Sequence, residues 1–290
     1  MTPTIKATAI ANLTRMGFPA NHAVHICEQW ISYQQAFSLH SVTAVGGTAH
    51  RLYCSGMDID VGGQFFLSCH YGSYPHVVAA IAQRARDKTI YVLIGSEGHE
   101  LKAALERRAQ EYGITIHFLD GGFGMVKRVK RALADHYPVF VEIDVPWGQT
   151  AECNVEFPFV GGQLKGKDAL FRMIERLDVP KNFVLSTVGD NSITINNYGD
   201  LSQEECFAVF ADVVRNCPQQ YERLFQMHKY FEPATRSDVT IVWQGQRDQY
   251  LLHASDMKAW ATPHALLPGE HQRSGIESLI GRPVSHVVPI

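Results

Sequence analysis

The stretch Gln64-Phe65-Phe66-Leu67-Ser68-Cys69-His70-Tyr71-Gly72-Ser73-Tyr74-Pro75 puts a histidine where an apolar run stops. Phe65, Phe66 and Leu67, closed by Gly72, Ser73 and Pro75, predict a buried strand that ends abruptly in a short turn. Open α/β sheets set their working groups just beyond the carboxyl ends of such strands. An imidazole there can move protons near neutral pH, or it can be a half-buried side chain satisfied by local hydrogen bonds. Two more strand ends carry polar groups: Asp144, closing a strand predicted over 138–145, and the Gly161-Gly162 turn after a strand predicted over 154–160. An aspartate in that position serves a site or caps a helix, and a glycine pair is in the simplest case only a turn.

Several chemistries are disfavoured by what the chain lacks. No strand-to-helix passage carries G-x-G-x-x-G or the Walker pattern, so nucleotide binding has no support. There is no G-x-S-x-G elbow of a serine hydrolase. Cys69 stands beside His70, but neighbours on a strand point to opposite faces, which makes a Cys-His dyad geometrically poor.

The elements that must position these groups alternate along the chain. Residues 5–40 read as helical with a break at Gly17-Phe18-Pro19, and Ala23, Val24, Ile26, Cys27, Trp30 and Ile31 form a helical stripe suited to a core. Strands over 51–54, 65–67, 89–94, 114–118 and 138–145 are separated by helices over 76–86, 99–112 and 125–135. That alternation predicts an α/β fold with a mixed, largely parallel central sheet flanked by helices. A strand over 182–187, a pairing segment over 192–196 and helices over 167–177, 204–216 and 218–231 follow. A hairpin over 239–253 and a wrapping tail rich in Pro, Gly and His complete a reading in two parts, a principal domain 1–232 and an extension 233–290.

With 290 residues, 46% hydrophobic and 19% charged, the chain can bury a large core. A net charge of −3 gives no strong whole-chain field for nucleic acid and leaves room only for a local basic patch. The six cysteines never approach C-x-x-C spacing, so neither a zinc ribbon nor a redox pair is suggested, and no metal is expected. Met1–Met16 has no continuous apolar core of a signal peptide and no run spans a membrane, so a cytoplasmic protein with at most peripheral membrane contact is expected.

In order and spacing these pieces resemble the lauroyl and myristoyl acyltransferases of lipid A biosynthesis, within the wider lysophospholipid acyltransferase-like superfamily. That family has an apolar strand and then His-(Phe/Tyr)-Gly-Asn-Trp-Glu, where this chain reads His70-Tyr71-Gly72-Ser73-Tyr74-Pro75. A strand ending in an Asp-Gln-Asp-like segment is matched loosely by Val139 to Gly148, and an apolar Phe-Phe-Gly turn by Phe157-Pro158-Phe159-Val160-Gly161-Gly162. The family's Pro-x-x-Trp and later His-Arg meet Pro218-Gln219-Gln220-Tyr221 and His228-Lys229. The resemblance runs over roughly 40–232. It implies an acyltransferase-like fold in which His70 is the general base that takes the proton of an acceptor hydroxyl as the oxygen attacks an acyl thioester. Backbone N–H groups in a glycine turn would hold the oxyanion, so Gly72, Ser73, Gly161 and Gly162 become substrate-binding candidates. No cofactor would be bound; the thioester, on an acyl carrier protein or on CoA, is a co-substrate.

The family's acid, five residues after its histidine, is Pro75 here, so the carboxylate that orients His70 would have to be Asp144, Glu142 or another. The basic helix with Lys127, Arg128, Lys130 and Arg131 suits an acidic carrier protein or a phosphopantetheine phosphate, and is otherwise a solvated helix face. Ala23 to Ile31 is too short and too polar for the family's membrane helix, which implies a soluble alcohol or amine acceptor in a specialised or lipid pathway. The other readings are a non-catalytic relative that binds an acyl chain or a partner protein, and an unrelated α/β hydrolase or transferase. Under the first reading Cys69→Ser keeps most activity and Pro75→Glu leaves the fold intact.

Overall fold

The computed structural model describes residues 1–37, 51–94, 99–122, 124–145, 153–244, 248–262, 270–281 and 284–290. Two helices, α1 (Pro3–Arg15) and α2 (Ala20–Phe37), precede β1 (Arg51–Ser55) and β2 (Phe65–Ser68). The α/β alternation then runs through α3 (Tyr74–Arg84), β3 (Thr89–Ile94), α4 (His99–Tyr112), β4 (Thr115–Asp120), α5 (Met125–Ala134) and β5 (Val139–Glu142). A short pair, β6 (Val155–Phe159) and β7 (Gly162–Gly166), leads to α6 (Ala169–Leu177), β8 (Lys181–Val188), β9 (Ser192–Asn197) and α7 (Gln203–Asn216). Two 3₁₀ turns over 218–229 and β10 (Phe231–Pro233) come before the last unit, β11 (Val239–Gln244), β12 (Gln249–His253), β13 (Lys258–Thr262), α8 (Glu270–Ile280) and β14 (His286–Pro289).

The central sheet has seven strands in the order β1-β9-β8-β2-β5-β3-β4. All its pairings are parallel except β8 with β9, so the fold is mixed α/β with a largely parallel sheet between helices. Strand β2 lies at its middle. Phe65, Phe66 and Leu67 are fully buried, which is why the run is continuously apolar rather than alternating. The chain leaves β2 through α3 and returns from β4 through α5 to lay β5 directly against β2. Two strand ends far apart in sequence thereby become neighbours.

The helical stripe on α2 belongs to the core: Ala23, Ile26, Cys27 and Trp30 are buried, and the Trp30 indole N–H donates to the Tyr221 carbonyl at 3.0 Å. On α1, Asn12 donates to the Leu224 carbonyl at 2.8 Å and Arg15 to that of Phe231 at 3.1 Å. The amino-terminal helices thus fasten the 3₁₀ segment, which the sequence pattern had suggested as a continuous helix. Among the described residues no helix is long and apolar enough to cross a membrane.

Three expectations are corrected here. The Gly161-Gly162 turn does not follow a strand of the central sheet: it closes the β6–β7 hairpin in a separate three-stranded sheet, order β10-β7-β6. The residues after the predicted hairpin are more than a wrapping tail, because β14 pairs in parallel with β11 and completes a four-stranded sheet, order β13-β12-β11-β14. The third concerns Pro75. It is buried in the first turn of α3, where its missing N–H costs nothing, so Glu at this position would be a buried carboxylate.

Candidate active site

The register of β2 on β5 builds the site. Ser68 pairs with Glu142, and the Ile143 N–H donates to the Ser68 carbonyl at 2.8 Å. Two residues further along each chain, on the same side of the pleat, stand His70 and Asp144. The His70 backbone N–H reaches Asp144 Oδ1 at 3.0 Å, and the ring Nδ1 reaches the same oxygen at 2.9 Å. On the other side of the ring, His70 Nε2 lies 2.8 Å from Glu142 Oε2 and 3.2 Å from Arg223 Nη2. The Tyr74 ring stands edge-on to the imidazole at 5.8 Å between centroids.

His70, Asp144 and Tyr74 are all buried. Burial by itself would push the imidazole down. The Glu142 carboxylate, and after it Asp144, outweigh that effect, with Arg223 opposing them, and His70 is raised to about 10. Burial likewise works to raise Asp144, but the charge and hydrogen bonds of His70 hold it below the ordinary carboxylate range. At neutral pH the centre is an imidazolium between two carboxylates. Nδ1–H serves Asp144 whichever state Nε2 takes. Nε2 has two incompatible neighbours: a proton on it satisfies Glu142, and its absence lets it accept from Arg223.

The other expected residues are placed as follows. Gly72 has φ +65°, and a Cβ on it would fall 1.8 Å from the Ser186 carbonyl oxygen, so only glycine fits. Its N–H is already given to the Gln220 carbonyl at 3.0 Å, which removes it as an oxyanion donor. Ser73 is buried, with Oγ 2.7 Å from His76 Nδ1, and His76 Nε2 is 2.9 Å from the Tyr112 hydroxyl. Gly161 packs against the end of α1, where a Cβ would come within 2.2 Å of the Met16 carbonyl oxygen, and Gly162 pairs with Phe159 and Pro233. These contacts make the glycine pair part of the hairpin; among the described residues no hydrogen bond or strand pairing joins it to His70. Arg128 is exposed on α5 and donates to the Asp120 carbonyl at 2.8 Å. Cys69 is fully buried in the main core and its thiol is pushed well up by that burial. The Pro146-Trp147-Gly148 part of the motif lies outside the described residues.

Beside this centre an apolar cleft of about 160 Å³, open to solvent, is lined by Leu93, Ile143, Val145, Leu170, Phe171 and Met173 among others. Met125, at the start of the basic helix α5, lines it as well. So does Glu142, the residue whose Oε2 contacts His70. Lys167 supplies the other charge on the wall. Among the described residues no group of three or more His, Cys, Asp or Glu is arranged to hold a metal ion.

Arg223 is the residue that local sequence reasoning missed. Its segment is stitched to the His70 turn by a Tyr71–Tyr221 bridge and by the Glu222 N–H, which donates to the His70 carbonyl at 2.8 Å. The chain matches no family model, and no curated protein is significantly similar to it. Fold and site together define a mixed α/β protein with a buried carboxylate–imidazole–carboxylate centre at the carboxyl edge of its sheet.

Proposed function

We propose that the protein is an acyltransferase that moves an acyl group from a carrier-protein or CoA thioester to a hydroxyl or amine, with His70 as general base. The observation that carries this reading is Glu142, which contacts His70 Nε2 and also lines the apolar cleft. An acyl chain in the cleft would bring its thioester carbonyl to the histidine. Asp144 fixes the Nδ1–H tautomer, leaving Nε2 as the proton acceptor once Glu142 gives way. An acceptor hydroxyl then loses its proton to Nε2 as its oxygen attacks, and the thiolate leaving group recovers that proton. The exposed cations Lys127, Arg128, Lys130 and Arg131 on α5 begin one turn from Met125 at the cleft, where an acidic carrier protein would dock.

Intact-mass spectrometry of acyl carrier protein, loaded with chains of graded length and incubated with the protein, tests this. Loss of the acyl mass with wild type but not with folded His70→Ala supports the reading. Equal inertness of both proteins, with a candidate alcohol or amine present, sinks it. A second reading, a protein that binds an acyl chain without turning it over, is favoured by one feature: the resting Nε2 is occupied by Glu142 and held protonated. Chain binding without turnover at any pH would select it.

A further inference from the structure

An acyl transfer through His70 needs a donor for the oxyanion, and the glycines expected to supply one are spent or elsewhere. Arg223 lies closest to the missing role. Its Nη2 is 3.2 Å from His70 Nε2, while its Nε is buried and has no hydrogen-bond partner among the described residues. The Tyr74 hydroxyl is in the same condition: buried on a side chain only 2% exposed, unpartnered among the described residues, with its ring against His70. Buried donors without acceptors are costly, and here two such side chains stand close to one imidazole, with Asp144 Oδ2 a buried acceptor also without a partner among the described residues.

We propose that the Arg223 guanidinium, with the Tyr74 hydroxyl, holds the oxyanion of the tetrahedral intermediate. This rests on the acyl-transfer reading above. The balance of the step fits the geometry. The acceptor oxygen bonds to the thioester carbon, its proton passes to Nε2, and the carbonyl π pair moves onto oxygen. The C–S bond then breaks, the pair leaves with sulfur, and the thiolate takes the proton back. While Nε2 is bare it accepts from Arg223. An acceptor hydroxyl binding to Nε2 displaces that bond and frees a guanidinium N–H within reach of the attacked carbonyl, as negative charge forms there. The contact between Glu222 N–H and the His70 carbonyl, with the Tyr71–Tyr221 bridge, keeps Arg223 in register with the base.

The test uses octylphosphonate, an anionic tetrahedral head on an alkyl chain, against 1-octanol, by titration calorimetry on the full chain. Wild type is expected to prefer the phosphonate by about tenfold or more, as a charge-assisted pair in a buried site allows. Arg223→Met should bring the two ligands to near parity with octanol affinity unchanged, Tyr74→Phe should cost part of the preference, and Arg223→Lys should restore part of it. A merely structural role would weaken both ligands alike. The proposal is overturned if Arg223→Met keeps the preference, or if Lys167→Met abolishes it instead. Wild type that binds octanol without preferring the phosphonate also overturns it, leaving the acyl cleft standing. Wild type that binds neither ligand removes the cleft reading as well.

Discussion

Glu142 Oε2 lies 2.8 Å from His70 Nε2, on the one nitrogen that an acceptor would have to reach. In the acyl-transfer reading the pair acts as a resting lock. Its carboxylate is the largest influence raising the imidazole, to about 10, and it sits in the wall of the cleft, where an arriving chain can move it. In the free protein the proton-accepting form of His70 therefore accumulates only toward pH 10. The rate at low thioester concentration, which reports the free enzyme, should rise with pH through that region. Glu142→Gln removes the main raising charge and should shift the rising limb to lower pH. An unshifted limb in that variant would show that another group controls the rate.

The same centre links stability to pH. The folded pKa of His70 stands above its unfolded value of about 6.5. Its contribution is thus complete below pH 6.5 and is lost as pH rises toward 10. The slope is at most on the order of 1 kcal/mol per pH unit. Denaturant titrations across pH 6–10 should show wild type losing stability that His70→Gln, which has nothing to deprotonate, does not lose. Asp144 works in the opposite direction: its depressed pKa stabilises above the ordinary carboxylate range and is lost as pH falls through the folded value. Parallel curves for wild type and His70→Gln in the alkaline range would disprove the charged pair.

Gly72 is the tightest point of the turn. A methyl group there meets the Ser186 carbonyl at 1.8 Å and demands a left-handed backbone. Gly72→Ala should cost roughly 3 kcal/mol or more in urea unfolding. Near-wild-type stability would mean that the turn can open without disturbing β8.

The position of the candidate site was largely legible in the sequence, but its membership was not. The apolar runs at 65–67 and 139–141 fix two buried strands, and His70 and Asp144 are visible as the polar residues that end them. That Glu142 also reaches the ring depends on the Ser68–Glu142 register, which no local pattern encodes. Arg223 arrives through a bridge across 150 residues of sequence and through α1 and α2 gripping the 3₁₀ segment, so nothing near it in the chain advertises the site. Strand β7 escaped for a related reason. Gly162-Gln163-Leu164-Lys165-Gly166 is bounded by glycines and reads as a turn until β6 and β10 pair with it on either side. Asp144, open between a helix cap and a site residue, is decided by contact: it holds the imidazole.

Pro75 stands where the acyltransferases that the sequence resembles carry an acid. If the position merely lacked its carboxylate, Pro75→Glu would be harmless. Because Pro75 is buried in the first turn of α3, and His70 already has carboxylates on both nitrogens, a glutamate there adds a desolvated charge with no work to do. Pro75→Glu is expected to lose roughly 2 kcal/mol or more, and Pro75→Ala about 1 kcal/mol or less. Equal stability of the two variants by thermal unfolding would show that the new carboxylate finds a partner.

The cleft, finally, should act as a ruler if it takes the acyl chain. Leu170 and Met173 stand on successive turns of one face of α6 and both line it, so a larger side chain at 170 shortens the available space without touching His70. Leu170→Trp should move the preferred thioester to shorter chains while the pH dependence of the rate stays in place. A uniform loss at every chain length would point to a damaged fold, and an unchanged profile would place the acyl chain somewhere else. Only a shift in length preference, with the pH limb fixed, ties the cleft and the imidazole into one reaction.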